Sequence, residues 1–209
     1  PIGTYLFADV VAAERDRLAT GPVFVNIASF VAEKNHDFLL DVFFKYCQKN
    51  SRGNLWLIGD GKLRGVLEAK VRSMGLESRV TFWGIRKDAI SLLKSADVMI
   101  MPSLIEGMPG VILESLSCGI PVIASTAGGI PEVINNGYNG YLVPAPDADA
   151  YVSSMETLTT NESVREKFIS EGRRLIEIEY LMPRIGERFL QVYQKLFERA
   201  KKQNIQAIN

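Results

Sequence analysis

The chain has few residues of the types that bind metals or form disulfide frameworks. Its 209 residues include one histidine and two cysteines, Cys47 and Cys118, which lie far apart in apolar helical patterns. This arrangement favours packed free thiols over a disulfide framework and fits a reducing cytosol. One histidine and two distant cysteines also leave no metal site of familiar ligand spacing.

The chain also lacks a net charge and a long apolar run. Lysine plus arginine equals aspartate plus glutamate at 24 each. No strong electrostatic field therefore recruits nucleic acid or a membrane surface, and any anion site must be local. No apolar run approaches the roughly 18 to 20 residues of a membrane-spanning helix. The 47% hydrophobic composition indicates a globular protein with a proper core.

What the sequence does contain is an alternation of short apolar runs with longer amphipathic runs. The predicted strands are residues 23–28, 54–58, 79–82, 98–101, 121–124 and 140–143. The predicted helices are residues 37–49, 63–74, 87–94, 110–117, 130–134, 148–159, 163–179 and 183–201. This order predicts an α/β fold: a doubly wound, Rossmann-like parallel sheet of about six strands, with helices on both faces and at the C-terminus. Ligands are then expected at the carboxyl ends of the strands.

The most informative stretch is residues 102–114, PSLIEGMPGVILE, which follows an apolar strand and opens a helix. Free backbone N–H groups at a helix start favour anions. Its two carboxylates, Glu106 and Glu114, would repel a phosphate, so they are better suited to binding hydroxyl groups that flank phosphates. A sugar diphosphate carries such hydroxyls on both sides. The stretch therefore predicts a site for a phosphorylated sugar.

This stretch resembles the glutamate-x7-glutamate signature of the retaining family 4 glycosyltransferases, and residues 113–125 continue that family's pattern. Further segments are similar to family motifs, in the expected order. They are residues 32–37 (lysine-bearing loop), 57–61 (second glycine turn), 80–84 (base-contacting strand end), 128–134 and 139–143. The resemblance extends from about residue 23 to the C-terminus.

The resemblance implies the GT-B architecture, in which two such domains face each other across a cleft. It identifies residues 22–209 as the C-terminal domain, which binds a nucleotide sugar, and residues 1–21 as an interdomain connection with a mostly polar helix. The N-terminal acceptor domain would be absent, so nucleotide binding without useful turnover is expected. The full-length protein would transfer a sugar, with retention and without a metal, to a saccharide or lipid-linked acceptor. The full-length protein is expected in the cytoplasm. Contact with the inner face of the membrane would be made through the absent domain.

The resemblance also implies roles for single residues. Glu114 would bind the ribose hydroxyls, and Lys34 would neutralise the departing diphosphate. Glu106 would reach the hydroxyls of the donor sugar and stabilise positive charge in the transition state, a role we favour over that of a nucleophile. The other expected donor-binding residues are Ser29, Gly61, Gly84, Ile85, Met108, Gly110 and Val111.

Two local features bear on these roles. Ser29 stands where many family members carry an arginine, and its hydroxyl can donate one hydrogen bond but brings no positive charge. His36, beside Asp37, could be a base, but an Asp37 that caps the N-terminus of the helix is the preferred interpretation.

Two other functions stay open. Ser29 favours a non-catalytic nucleotide-sugar-binding module, such as a partner subunit that completes an enzyme in trans. A GT-B sugar-nucleotide epimerase would share the sheet and the diphosphate site, but the segment from Glu106 to Glu114 argues against it. The base, the sugar, the acceptor and the linkage depend on pocket shape and on the absent domain.

Overall fold

The computed structural model describes residues 21–144 and 146–206. Its backbone separates into two units, one that ends at Arg173 and one that begins at Arg174. The connection and polar helix predicted at the N-terminus fall on residues 1–20, outside the described residues. The division of the chain at residues 21 and 22 stays a prediction.

The first unit contains a six-stranded sheet. The strands are β1 (Val23–Ile27), β2 (Asn54–Ile58), β3 (Val80–Gly84), β4 (Val98–Met101), β5 (Val122–Ala124) and β6 (Tyr141–Leu142). Their order is β3-β2-β1-β4-β5-β6, and every neighbouring pair is parallel. The chain runs outward from β1 in one direction and then returns to β4 to run outward in the other. The predicted doubly wound sheet is confirmed, and its switch point lies between β1 and β4.

The helices also follow the sequence pattern. A short 3-10 helix, Ala32–Lys34, lies just before the first α-helix. The α-helices that follow β1 are α1 (His36–Lys49), α2 (Arg64–Ser73), α3 (Ala89–Lys94), α4 (Gly110–Cys118), α5 (Ile130–Val133), α6 (Ala148–Thr160) and α7 (Glu162–Leu175). Asp147 caps α6, because its Oδ1 accepts a hydrogen bond from the Ala150 N–H at 3.0 Å. Within the described part of the chain, no helix combines the length and the apolar character needed to cross a membrane.

The start of α1 differs from the prediction. The helix begins at His36, and Asn35 takes the capping position with a left-handed backbone (φ 55°) and no side-chain capping bond. Asp37 instead places its carboxylate 2.8 Å from the Lys70 ammonium. The predicted N-cap role of Asp37 is therefore wrong, because an ion pair with α2 uses its side chain.

Both faces of the sheet are covered. Phe24, Leu57 and Ile100 belong to a buried cluster that includes side chains of α1, α2 and α6. The alternate strand residues Val25 and Met99 are fully buried as well. Burial on two sides explains why β4 is apolar without alternation, as expected for parallel strands between helical layers.

The second unit contains the end of α7, a π-helical turn, Ile176–Tyr180, and the long helix α8 (Met182–Gln206). Pro183 lies in the first turn of α8, where its missing N–H would have no helical partner. This confirms the last predicted helix.

Candidate functional site

The central feature of the carboxyl edge of the sheet is an ion pair between Lys34 and Glu106. Lys34 lies in the turn after β1, and Glu106 lies in the loop after β4, the two strands that flank the switch point. The Lys34 Nζ atom is 2.5 Å from Glu106 Oε1. The Glu106 side chain is only 7% exposed and that of Lys34 is 25% exposed. The structure therefore brings together the two residues predicted to be catalytic, although 72 positions separate them in sequence.

Two hydrogen bonds join the turn that carries Lys34 to the loop that carries Glu106. The Leu104 N–H donates to the Glu33 carbonyl at 2.8 Å. Asn35 Nδ2 donates to the Pro102 carbonyl at 3.3 Å. The left-handed backbone of Asn35 suits an asparagine, which tolerates positive φ better than most residues. These two bonds hold the loop that carries Glu106 beside the turn that carries Lys34.

The loop after β5 supports the Glu106 loop from another direction. Gly128 has φ +52°, and a Cβ atom placed on it would lie 1.7 Å from the Glu106 carbonyl oxygen. The Gly129 N–H donates to the Gly107 carbonyl at 3.0 Å. Only glycine permits this approach at residue 128, so the glycine pair positions the Glu106 backbone.

The N-terminus of α4 begins directly after this loop. Pro109 is the capping residue and has an extended backbone, and the Ile112 N–H donates to its carbonyl at 3.0 Å. Gly110 has open space around the position of a Cβ atom. Val111 is half-buried in the first turn, whereas Met108 is 49% exposed. A helix start with room at Gly110 can present backbone N–H groups to an anion.

Glu114 lies further along α4, where its side chain is exposed. The sequence pattern alone does not distinguish binding from a favourable interaction with the helix dipole. In the structure Glu114 is the fifth residue of α4 and lies beyond its first turn. The dipole interaction falls off within the first turn, which weakens that alternative. The ribose-binding role of Glu114 stays a prediction.

A cavity of about 370 Å³ opens at the carboxyl ends of β1, β2 and β3. Its wall includes two predicted binding residues, Ser29 and Ile85, and both are exposed. The full lining is Ile27, Ala28, Ser29, Ile58, Gly59, Asp60, Ile85, Arg86 and Ala89. The mixture of aliphatic side chains, backbone and a few polar groups suits a flat heterocycle with polar edges.

Charged residues at this cavity are held by neighbours. Arg86 donates to both carboxylate oxygens of Asp88, at 2.7 Å each, and lies 5.1 Å from the centre of the Trp83 ring. The hydrogen bonds from Arg86 lower the pKa of Asp88. The pKa of Asp60 is also lowered, first by the hydrogen bond from the Gly61 N–H and then by the bond from Arg64. Both carboxylates are therefore anionic at neutral pH.

The two remaining predicted glycines lie next to the cavity. A Cβ atom on Gly61 would lie 2.5 Å from the Phe30 carbonyl oxygen, so this glycine lets the turns after β1 and β2 pack closely. Gly84 ends β3 with φ +67°, and its carbonyl accepts a hydrogen bond from the Gly59 N–H at 2.8 Å. The close contact of Gly61 and the positive φ of Gly84 explain structurally why glycine occupies both positions. Their binding roles stay predictions.

His36 is buried directly behind the Lys34 turn. It is 1% exposed, its ring stands edge-on to Phe30 at 4.8 Å, and neither ring nitrogen has a hydrogen-bond partner among the described residues. Burial, followed by the nearby Lys34 charge, lowers the pKa of His36 to about 4. A neutral, buried imidazole supports the packing of the turn.

Sequence reasoning missed three contributors to this edge. Arg86 carries no motif signal beyond its position after Gly84, and nothing in the sequence marks Asn35 as a link to the next loop. Gly128 belongs to a recognised motif, but its contact with Glu106 depends on how two distant loops meet. Among residues 21–144 and 146–197, whose side chains the structure describes, no group of three or more His, Cys, Asp or Glu could hold a metal ion.

Comparison with known proteins places the chain in a family. The family model described as glycosyl transferases group 1 matches residues 12–175, so the chain belongs to that family. The lipopolysaccharide core biosynthesis glycosyltransferase LpsE of Rhizobium meliloti (strain 1021) is 29% identical over 186 residues, covering 88% of this chain and 54% of that protein. The N-acetyl-alpha-D-glucosaminyl L-malate synthase of Bacillus anthracis is 27% identical over 171 residues, covering 82% of this chain and 45% of that protein. The chain thus spans about half the length of the curated relatives it matches.

The fold agrees with that of a solved structure. Anabaena HepE, solved in complex with UDP and glucose, superposes with a TM-score of 0.80 at 22% identity, over 88% of this chain and 52% of that one. The predicted resemblance to GT-B glycosyltransferases is confirmed at the level of the group 1 family and the half-domain fold. Assignment to family 4 stays a prediction.

Proposed function

We propose that this chain is the donor-binding half of a retaining glycosyltransferase and binds a nucleoside-diphosphate sugar. The observation that carries the proposal is the Lys34–Glu106 pair, with 2.5 Å between ammonium and carboxylate at the switch point of the sheet. It joins a cation suited to a diphosphate and a carboxylate suited to sugar hydroxyls within one contact.

Under this proposal the donor extends along the carboxyl edge of the sheet. The base occupies the cavity between Ser29, Ile85 and Arg86, and Glu114 accepts hydrogen bonds from the ribose. The diphosphate lies against the start of α4, near Gly110, with Lys34 as its cation. HepE, which shares this fold, was solved with UDP and glucose, and that complex supports a ligand of this class.

In the transfer step, Lys34 stabilises the charge that builds on the departing nucleoside diphosphate. Glu106 faces the sugar, where its carboxylate stabilises positive charge at the anomeric carbon. Neither role requires a metal, and we propose that transfer is metal-independent. The acceptor, a saccharide or a lipid-linked acceptor, would bind to a second domain, in the part of the relatives' length that this chain does not cover.

Calorimetry of the 209-residue chain with UDP, GDP and ADP tests the proposal. Weak binding of at least one nucleotide is expected, because base, ribose and much of the diphosphate are held by this half. The absence of heat with all three at millimolar concentration would contradict the assigned site.

A second candidate is a non-catalytic nucleotide-sugar-binding module or partner subunit. Ser29 favours it, because this residue stands where many family members carry an arginine and it supplies no positive charge. Transfer activity separates the two: a full-length protein that binds the sugar nucleotide but never transfers or hydrolyses the sugar is a binding module.

A further inference from the structure

The Lys34–Glu106 contact has a consequence for the order of events at the site. The Glu106 side chain is only 7% exposed, and its carboxylate rests directly on the Lys34 ammonium. A buried carboxylate without a partner is costly. Lys34 therefore already has an anionic partner within the protein before any diphosphate binds.

We infer that Glu106 competes with the donor diphosphate for Lys34, so that the ion pair acts as an internal clasp that opens on donor binding and closes on product release. This inference rests on the proposed function, because it assumes that a nucleoside diphosphate reaches Lys34. It assigns to Glu106 a role in ligand release in addition to its role in transfer.

Lys34 can exchange the Glu106 carboxylate for a diphosphate oxygen through side-chain movement alone. The turn that carries Lys34 is fixed to the Glu106 loop by the Leu104 to Glu33 and Asn35 to Pro102 hydrogen bonds. The Gly128 contact fixes the Glu106 backbone from the other side. Only the two side chains have to separate, so a diphosphate oxygen can replace the carboxylate as acceptor without movement of either loop.

The two ligands of the reaction differ in what they offer Glu106. A nucleoside-diphosphate sugar supplies phosphate oxygens to Lys34 and hydroxyl donors to the released carboxylate, so both groups keep partners. After transfer, the nucleoside diphosphate supplies oxygens alone, and the carboxylate is left without a donor. The Lys34–Glu106 pair then re-forms and displaces the nucleoside diphosphate. The site therefore binds the sugar nucleotide more tightly than the nucleoside diphosphate product.

The test is calorimetric titration of the 209-residue chain with UDP, GDP and ADP in three variants. Glu106→Gln keeps the shape of the side chain and removes the charge that holds Lys34. Glu106→Asp keeps the charge but withdraws it by one methylene. Glu33→Gln is the control, because this exposed carboxylate is next to Lys34 in sequence, whereas the ion-pair partner of Lys34 is Glu106.

We expect Glu106→Gln to bind the nucleotide about 1.4- to 5-fold more tightly than the unchanged protein, the range of a partly exposed ion pair that no longer competes. Glu106→Asp should also bind more tightly, whereas simple repulsion between carboxylate and diphosphate would leave Asp unchanged. Glu33→Gln should match the parent protein. Circular dichroism confirms that each variant is folded.

Tighter binding by Glu106→Gln together with unchanged binding by Glu106→Asp would assign the effect to simple repulsion and overturn the inference. Two further results would also overturn it and are distinguishable. If the parent protein binds a nucleotide and Glu106→Gln binds it equally or more weakly, the clasp is refuted while the proposed function stands. If neither the parent nor any variant binds a nucleotide, the proposed function fails and the clasp fails with it.

Discussion

Gly128 touches the backbone of Glu106 so closely that the site has no room for a side chain at that position. A Cβ atom on Gly128 would lie 1.7 Å from the Glu106 carbonyl oxygen. The loop after β5 therefore sets the position of the carboxylate that pairs with Lys34. Substitution at a residue that carries no functional group should consequently disturb the candidate site.

Gly128→Ala should destabilise the protein by about 2 to 4 kcal/mol, because it combines a backbone clash with a positive φ. Nucleotide binding should weaken together with stability. Urea unfolding and calorimetry measure the two effects. Gly65→Ala is the matched control: Gly65 lies in α2 with nothing within 4 Å of its Cβ position, so no loss, or a gain of up to about 1 kcal/mol, is expected. Equal stability of the two variants would contradict this packing of Gly128.

Glu114→Ala should weaken nucleotide affinity by about 1.5 to 3 kcal/mol for each charge-assisted hydrogen bond that is lost. Stability should change by less than about 0.5 kcal/mol, because the side chain is exposed. Glu77→Ala is the control for the loss of one negative charge. Glu77 is exposed and lies just before β3, at the amino ends of the strands. Unchanged affinity in a folded Glu114→Ala protein would remove Glu114 from the binding site.

His36 should make stability depend on pH. Its pKa is about 4 in the folded protein, below the ordinary 6.5, so the unfolded chain binds the additional proton between these values. Stability should therefore fall by about 2 kcal/mol as the pH drops from about 7 to 5, above the range in which ordinary carboxylates titrate. Urea unfolding at both pH values measures this loss, and His36→Asn should remove it. An equal loss in the variant would assign the effect to other groups.

Nucleotide binding should not require a divalent cation. Under the proposed function, the positive charge offered to the diphosphate comes from Lys34 and from the backbone N–H groups at the start of α4. Affinity measured by calorimetry in EDTA should agree with affinity measured in magnesium to within about twofold, after correction for magnesium bound by the free nucleotide. Binding that disappears in EDTA would contradict a metal-independent site.

The sheet could be predicted from the sequence because each of its strands is an apolar run between helical patterns. The six predicted strands agree with the structure to within two residues at each end. Burial on both faces made β4 recognisable without alternation. The start of α1 was less predictable. Aspartate is common at helix N-caps, but the Asp37 side chain forms an ion pair with Lys70 instead of capping the helix.

The sequence proposed a set of residues for the candidate site, whose binding roles stay predictions, but it did not predict the contacts among them. The roles proposed for Lys34 and Glu106 came from their motifs, whereas their contact depends on two loops that meet across 72 positions. The same holds for Gly128 and Glu106. Arg86 was missed because a single arginine after a strand has no distinctive pattern, and the cavity beside it exists only when three turns are placed together.

A nuclear magnetic resonance titration of the 209-residue chain with UDP, GDP and ADP tests the central claim most directly, because it locates a nucleotide as well as detecting it. We expect the largest backbone shifts on Ser29, Lys34, Ile85, Gly110 and Val111. Gly65 and Glu77 should remain unchanged. Shifts confined to other parts of the chain, or none with all three nucleotides, would contradict a donor site at the carboxyl edge of the sheet.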